Sequence, residues 1–542
     1  MRFTRPPRRS PRAMIVTAQP EASDAGAMIM AEGGNAVDAV VAAALVQTVV
    51  DPLMCGLGGM AVAQVMTRES EIVVIDALGQ TPSQIRPDIW LSDYLGPTPD
   101  GFGYQVRGHR NETGAESVMV PGTLKALANL HSRFGSTPWA DLFADAIRIA
   151  KSGWTVRPYV QATLDNDEAK NGRMNYADKL LSTPDGRRIY GAADRPPRVG
   201  DVITNPELSE VLRHIAEHGS EELYKGAIAD LLASSVQRDG GLLCIDDLRH
   251  YTIHELRPLL GKYRGIGLSM PPQPAGGIQT MQILGILNEF ELSGLGHNSS
   301  AHIEVLSEAM KRALQDKESL WQKSDVSEDD YLSLLSSERA KTAAEAIRNS
   351  ERVQVGRVHE DSPNTTHVCA IDEQGFTVSL THTLGNPSGY IPTGLGFMLN
   401  GGMSTFDPRP GSVNSVQAGR RRNTTACPVI VFDESGPILT LGAPGGSLIT
   451  PAIVQALSNF IDFGMDVREA VLAPRIAATS NAIDLSNRIS RESEAALVKR
   501  SYEVRRSPMN YAFGAVHALS KLNGSLEGAA DPQRDGHAAA VF

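Results

Sequence analysis

Long apolar runs are missing from this 542-residue chain: the best candidate, Ala36 to Val50, is broken by Asp38 and Gln47 and falls short of the roughly 18 to 20 residues of a membrane span. A membrane is therefore not an expected partner. Cysteine is scarce, and Cys55, Cys244, Cys369 and Cys427 lie far apart with no C-x-x-C spacing, so the pattern supports neither a disulfide framework nor a zinc site. The four thiols read as buried and free, and no metal or cofactor is expected. Net charge is −11 and the basic residues form no long stripe, which argues against nucleic acid as a partner. Also absent are a G-x-x-x-x-G-K-[ST] phosphate loop, a G-x-S-x-G elbow, an H-E-x-x-H zinc motif and any internal repeat. Nucleotide hydrolysis, elbow-type serine hydrolysis and zinc proteolysis thus lose their signatures.

What is present is a hydrophobic content of 42%, enough for a large core in two to four domain-sized units. Aromatics are only 5% while glycine is plentiful, a balance that suits helices packed closely on sheets. Residues 1–15 open with Arg2, Arg5, Arg8, Arg9 and Arg12 and no apolar h-region follows, so they read as a disordered basic tail of a cytoplasmic protein. Gly33-Gly34-Asn35 caps a buried helix from Ala36 to Val50. Strands are expected at Met60–Met66 and Glu71–Asp76, and helices at Trp139–Ser152, His302–Leu314 and Arg339–Ile347. Pro97–Gly103 and Ser182–Gly200 read as surface loops, and the polar stretch Asn349–Pro363 as a linker.

After that linker the hydrophobic period changes to two. His367–Asp372 and Phe376–His382 alternate as strands around the turn Asp372-Glu373-Gln374-Gly375. A two-residue loop, Glu373-Gln374, would set Thr365 opposite His382 and beside Thr383, bringing two hydroxyls together; Thr383 is equally at home in a strand for packing alone. Farther on, a strand at Pro437–Ala443, the turn Pro444-Gly445-Gly446-Ser447 and a helix at Ile449–Gly464 form either a plain tight turn or a cluster of free N–H groups suited to an anion. Arg420, Arg421 and Arg422 read as a solvated loop or as a pocket for an anionic substrate group.

Taken in order, these motifs resemble the γ-glutamyltranspeptidase family. The resemblance rests on Gly33-Gly34-Asn35-Ala36-Val37-Asp38-Ala39, Asp51-Pro52, Gly56-Leu57-Gly58-Gly59, Val120-Pro121-Gly122-Thr123, Gly240-Gly241-Leu242-Leu243, Met270-Pro271-Pro272, Thr365-Thr366-His367, Thr381-His382-Thr383-Leu384 and Ala443-Pro444-Gly445-Gly446-Ser447, and runs from about Val16 onward. It implies an α+β fold, the four-layer αββα sandwich of the N-terminal-nucleophile hydrolases. It also implies a precursor that cuts itself between Asn364 and Thr365 into a large subunit, residues 16–364, and a small one, residues 365–542. Thr365 matches the family's nucleophile, Thr383 the residue that hydrogen-bonds it, and Gly445 and Gly446 its oxyanion hole. Thr424-Thr425 stand where the family has Ser-Ser near the acyl group.

The chemistry fits what these residues can do: a threonine hydroxyl needs a base, and an N-terminal threonine carries one in its own α-amine, with a reference pKa of about 7.7 to 8.0. Departures concern the substrate. Leu78 replaces the family's carboxylate-binding arginine, Gly402 and Thr405 stand at the amide and carboxylate positions that hold the α-amino group, and Gly385 replaces an asparagine. The expected function is that of an amidohydrolase or acyltransferase that cleaves an acyl amide or peptide through an acyl-Thr365 intermediate, with an acyl group that need not be γ-glutamyl. Two other readings stay open: a true γ-glutamyltransferase or glutathione hydrolase, and a catalytically silent binding or assembly protein. Self-association of whole protomers is left open as well.

Overall fold

The computed structural model describes residues 10–191, 195–356, 364–508 and 513–542. Most of the expected basic tail and the end of the expected linker lie outside the described residues. Strand Ala13–Thr17 is fully buried, so regular structure begins before the expected boundary at residue 16.

Two antiparallel sheets form the centre. The first has seven strands in the order His537–Val541, Ala13–Thr17, Thr366–Ile371, Thr377–Thr383, Met60–Met66, Ile72–Ala77, His254–Leu256. The second has six, in the order Ser525–Ala530, His517–Leu522, Gly436–Gly442, Val429–Asp433, Ile266–Met270, Leu259–Tyr263. Period-two alternation explains the layering. In the first sheet Ile15, Ala61, Ala63, Val368 and Ala370 face one core, shared with helices Pro20–Ala31 and Ala36–Val50. The intervening Val16, Cys369 and Ile371 meet Leu519 and Leu526 of the second sheet. The far face of that sheet, with Leu268, Val429, Val431, Leu439 and Leu441, packs on helices Gly277–Leu287, Ser300–Trp321 and Ile449–Ile461. Helix, sheet, sheet, helix is the αββα arrangement, with a separate core at each of its three junctions.

Local chemistry explains the elements nearest the centre. Helix Ala36–Val50 begins in a capping box: Asn35 Oδ1 accepts from Val37 N and Asp38 N, and Asp38 Oδ2 accepts from Asn35 N. Every residue of this helix is buried, as its apolar composition on all sides requires. Three expectations are corrected. Trp139–Ser152 is not one helix but a 3₁₀ turn, Trp139–Phe143, running into helix Ala144–Ser152. Ser182–Gly200 is not all loop, because Thr183 caps a short helix at Pro184–Tyr190. In Pro97–Gly103, Thr98 and Asp100 are buried, and Arg173 pairs with Asp100 at 2.5 Å.

Candidate active site

The hairpin that carries Thr365 differs from its expected register by one residue. Ile371 pairs with Thr377 and Thr366 with His382, because the connecting loop has three residues, Glu373 to Gly375, and Asp372 N–H donates to Phe376 O across it. The Asp372 carboxylate organises that loop, accepting from Gln374 N at 2.9 Å and Phe376 N at 3.0 Å. Continuing this register sets Thr365 level with Thr383 rather than His382.

The consequence is a direct meeting of hydroxyls: Thr365 Oγ1 lies 3.1 Å from Thr383 Oγ1 and 2.9 Å from Asn364 Oδ1. Thr383 Oγ1 is fixed in turn by Gly385 N–H, which donates to it at 2.8 Å. Thr365 itself has φ +83°, a region that β-branched residues avoid. The peptide bond before it is gripped from two sides. Gly445 N–H donates to Asn364 O at 2.9 Å, Arg534 Nη1 donates to Thr365 O at 2.6 Å, and Arg534 Nη2 lies 3.5 Å from Asn364 O. Gly445 manages this at φ +142°, and a Cβ there would fall 2.9 Å from Gly514 Cα. Gly446 follows as the first residue of the 3₁₀ turn Gly446–Leu448, where an N–H has no acceptor within the turn. Thr425 Oγ1 donates to Gly446 O at 2.6 Å and so holds the Gly–Gly turn in place.

The opposite face of the same strand carries a buried polar network. Thr366 Oγ1 receives Gln47 Nε2 at 3.1 Å, Gln47 Oε1 lies 2.8 Å from His382 Nε2, and Gln47 Nε2 also donates to Gln19 Oε1 at 2.6 Å. Gln19 Nε2 donates to Asp51 Oδ2 at 2.5 Å. Burial pushes the Asp51 carboxyl up to about 7, against the opposing pull of Arg534, Arg157 and the Gln19 bond. Burial likewise holds His382 down to about 3, and His517 at about 3 with help from the charges of Arg534 and Arg475. His367, Nδ1 2.9 Å from Thr381 Oγ1, is pushed well below its ordinary value by burial and by its imidazole neighbours. These imidazoles are neutral at physiological pH; the Thr365 hydroxyl hydrogen-bonds Asn364 Oδ1 and Thr383 Oγ1 and none of them, so its proton has to leave by another route.

A cavity of about 580 Å³ opens beside this centre, between helix Ser300–Trp321 and the segments around Phe102 and Thr405. Of the expected substrate binders, Thr405, Thr424 and Thr425 line it, with Ser447 beside the Gly–Gly turn. Gly402 does not. A Cβ at Gly402 would meet Met119 Sδ at 2.6 Å and Met60 Cε at 3.1 Å, so it sits behind the wall and offers no room for a side chain. Leu78 is also enclosed, in an apolar cluster with Met60, Val62 and Ala426. Asn364 and Thr365 are 2% and 4% exposed, so the bond between them is buried, and neither residue lines the cavity.

The arginine cluster does not behave as one solvated loop. Arg421 pairs with Asp76, Arg420 reaches Gln417 Oε1 at 2.7 Å, and Arg422 is buried at 2% exposure. Arg534 and the Gln19–Asp51–Gln47 network are the functional-site residues that sequence reasoning missed. Arg534 lies 169 positions from Thr365, and no spacing links the two. The thiols of Cys55, Cys369 and Cys427 are buried and free as expected, whereas Cys244 is half-buried. Among the described residues no group of three or more His, Cys, Asp or Glu side chains is arranged to hold a metal ion.

Three comparisons with known proteins bear on this arrangement. Residues 22–541 match the family model described as gamma-glutamyltranspeptidase. The chain is 32% identical over 549 residues to the acylase ACY 1 proenzyme of Pseudomonas sp. (strain V22), a match covering 98% of this chain and 94% of that protein. It is 29% identical over 489 residues to the glutathione hydrolase proenzyme of Escherichia coli (strain K12), covering 86% and 81% respectively. Among solved structures, the cephalosporin acylase from Bacillus halodurans superposes with a TM-score of 0.84 at 26% identity, over 100% of this chain and 98% of that one.

Proposed function

This chain belongs to the gamma-glutamyltranspeptidase family, and from that premise we propose that Thr365 is its nucleophile, released by cleavage of the Asn364–Thr365 bond, and that its acyl substrate is not γ-glutamyl. It is a self-processing amidohydrolase or acyltransferase acting on a small-molecule amide, made as a precursor and cut into subunits. The observation that carries the assignment of roles is the pairing of Asn364 O with Gly445 N–H next to the Thr365 and Thr383 hydroxyls.

In the uncut chain, Thr365 Oγ1 attacks the Asn364 carbonyl carbon. Negative charge gathers on Asn364 O, where Gly445 N–H and the Arg534 guanidinium are already in place, so little reorganisation accompanies the reaction. The C–N bond to Thr365 breaks, the hydroxyl proton ends on the departing amine, and an Asn364 ester remains on Oγ1. Water then opens the ester, leaving an Asn364 carboxylate and a free Thr365 hydroxyl. Strain favours the forward direction: φ +83° at a threonine costs about 1–3 kcal/mol, and the torsion ceases to exist once the bond is cut.

In the mature enzyme the α-amine of Thr365 accepts the hydroxyl proton as Oγ1 attacks a substrate amide. The substrate carbonyl takes the place vacated by Asn364 O, against Gly445 N–H and Gly446 N–H. Thr383 Oγ1 orients the nucleophile. The amine leaving group departs with the proton, and water, or an acceptor amine in the transfer reaction, releases the acyl group. Altered acyl selection is supported by enclosed Leu78, by Gly402 with no room for a side chain, and by Thr405 in place of a carboxylate. The four unpaired cysteines suit a reducing compartment, and we extend the proposal to a cytoplasmic location.

The test is direct. Wild-type protein is expected to separate into two pieces, the smaller starting Thr-Thr-His-Val, and Thr365→Ala to stay whole. Brief mixing with an acyl amide and mass spectrometry should then find the added acyl mass on the peptide that begins at Thr365. A wild-type chain that stays whole and inactive, or an acyl group on another residue, would refute the assignment.

A further inference from the structure

The side chain of Asn364 touches the nucleophile directly. Thr365 Oγ1 donates to Asn364 Oδ1 at 2.9 Å, and the alternative acceptor, Thr383 Oγ1, is farther away at 3.1 Å. One hydroxyl hydrogen serves one acceptor at a time. Thr383 Oγ1 already receives Gly385 N–H at 2.8 Å, whereas Asn364 Oδ1 takes no other hydrogen bond among the described residues. The hydrogen of the nucleophile therefore belongs on Asn364. The bases nearest in sequence are turned elsewhere, His367 to Thr381 Oγ1 at 2.9 Å and His382 to Gln47 Oε1 at 2.8 Å.

The other end of the same amide is left over. Asn364 Nδ2 has no hydrogen-bond partner among the described residues, in a residue only 2% exposed. An unmet buried donor costs about 1–3 kcal/mol, a cost that a side chain kept for stability alone has no reason to carry. Only the end that faces the nucleophile is satisfied. The backbone of the residue is fixed as well, since Gly445 N–H holds Asn364 O at 2.9 Å and Arg534 Nη2 stands 3.5 Å from it. Asn364 thus presents an electrophilic carbonyl and a hydrogen acceptor to one and the same hydroxyl.

Resting on the cleavage of the Asn364–Thr365 bond described above, we propose that the Asn364 amide oxygen is a catalytic group of that cleavage, taking the Thr365 hydrogen as the hydroxyl attacks, and that it is used once. As Oγ1 bonds to the Asn364 carbonyl carbon, the hydrogen moves onto Oδ1. As the C–N bond breaks, the same hydrogen passes to the Thr365 nitrogen, so the amide is restored and no outside acid or base is consumed. The free α-amine of Thr365 comes into being only with this step and takes over as acceptor for later turnovers. The chain uses two proton acceptors in succession, the first on the residue before the cut and the second made by the cut.

The experiment makes the full chain by cell-free synthesis and times the appearance of the fragment that starts at Thr365 by intact mass. A positioned acid–base group contributes about 100- to 10,000-fold, and a neutral amide oxygen, a weak base, belongs at or below the lower limit, so Asn364→Leu, close in size and without an acceptor, is expected to be cut about 10- to 100-fold more slowly than wild type. Asn364→Asp keeps the shape and separates acceptance from packing. At about pH 8 a carboxyl with an ordinary value of about 3.9 is ionised and a stronger acceptor than the amide, so this variant is expected to be cut as fast as wild type or faster. A side chain that only packs predicts the reverse, because the new buried charge then slows the reaction. Should Asn364→Leu fail to fold, judged by its melting temperature in the uncut Thr365→Ala background, the aspartate variant alone decides. A folded Asn364→Leu cut within about threefold of the wild-type rate, or Asn364→Asp cut more than about tenfold slower at about pH 8, overturns the role of the Asn364 amide. A wild-type chain that is not cut between Asn364 and Thr365 would instead remove the reading on which it rests.

Discussion

Substituting Gly445 by alanine tests the hydrogen bond that organises self-cleavage. The new Cβ would stand 2.9 Å from Gly514 Cα, and φ at this residue is +142°. Gly514 cannot retreat, because it is packed so tightly against Leu448 O and Ala452 Cβ that a methyl group of its own would lie 2.6 and 2.9 Å from them. The turn must therefore move by about half an ångström or more to reach ordinary contact, and Gly445 N–H, now 2.9 Å from Asn364 O, moves with it. Loss of one oxyanion donor lowers a rate about 100- to 1,000-fold, or about 2.7–4 kcal/mol. The assay is the time course of the fragment beginning at Thr365, followed by intact mass after purification of the precursor. Gly96→Ala is the control: it has φ +141° and open space around its missing Cβ, so it meets a comparable backbone penalty without touching Asn364. If Gly445→Ala folds, melts near the control and is cut within about threefold of the wild-type rate, the oxyanion argument is wrong.

Removing the Thr383 hydroxyl with Thr383→Val should slow both cleavage and acyl transfer, and it leaves Gly385 N–H without its acceptor, which costs about 1–3 kcal/mol of stability. Thr383→Ser should recover both rate and melting temperature; a valine variant of unchanged kcat would show that the hydroxyl only packs. Asp51 titrates near 7 when folded against an ordinary value of 3.8, so the folded form holds the extra proton between these values and this residue's contribution to stability falls as pH rises from about 4 to 7, by at most about 4 kcal/mol. His382 and His517, at about 3 when folded against 6.5, act in the opposite sense and cost stability as pH falls below about 6.5. Asp51→Asn should therefore gain melting temperature relative to wild type as pH rises from 5 to 8; parallel profiles for the two proteins would refute the assignment of that titration.

Much of the centre was legible because its signals are local. The Gly33-Gly34-Asn35 cap, the mostly apolar Ala36–Val50 and the alternation of His367–Asp372 and Phe376–His382 are all short-range patterns, and each led to the right element. The one-residue error in the hairpin has a local cause too: the Asp372 carboxylate accepts two turn N–H groups and so favours a three-residue loop over the two-residue one. Arg534 and Gln19, with Asp51 behind Gln19, were not legible as partners of Thr365 and Thr366, because these segments meet only in the assembled fold. Arg422 was visible as charge, but its inward turn depends on Gly385, Met60 and Phe102, which converge from three other segments.

The strand order of the seven-stranded sheet has a mechanical meaning if the chain is cut at the proposed Asn364–Thr365 bond. Ala13–Thr17 belongs to the first piece, yet it is hydrogen-bonded on one edge to His537–Val541 and on the other to Thr366–Ile371, both of the second. Met60–Met66, again from the first piece, is laddered to Thr377–Thr383 from the second. The two products are thus interlaced like the fingers of folded hands, and pulling them apart means unzipping three ladders inside this sheet and a fourth, Ile266–Met270 with Val429–Asp433, in the other. Cutting one bond leaves the connectivity of the fold to hydrogen bonds and packing alone, so the pieces should travel as a single particle through native chromatography and separate only when the whole sheet melts.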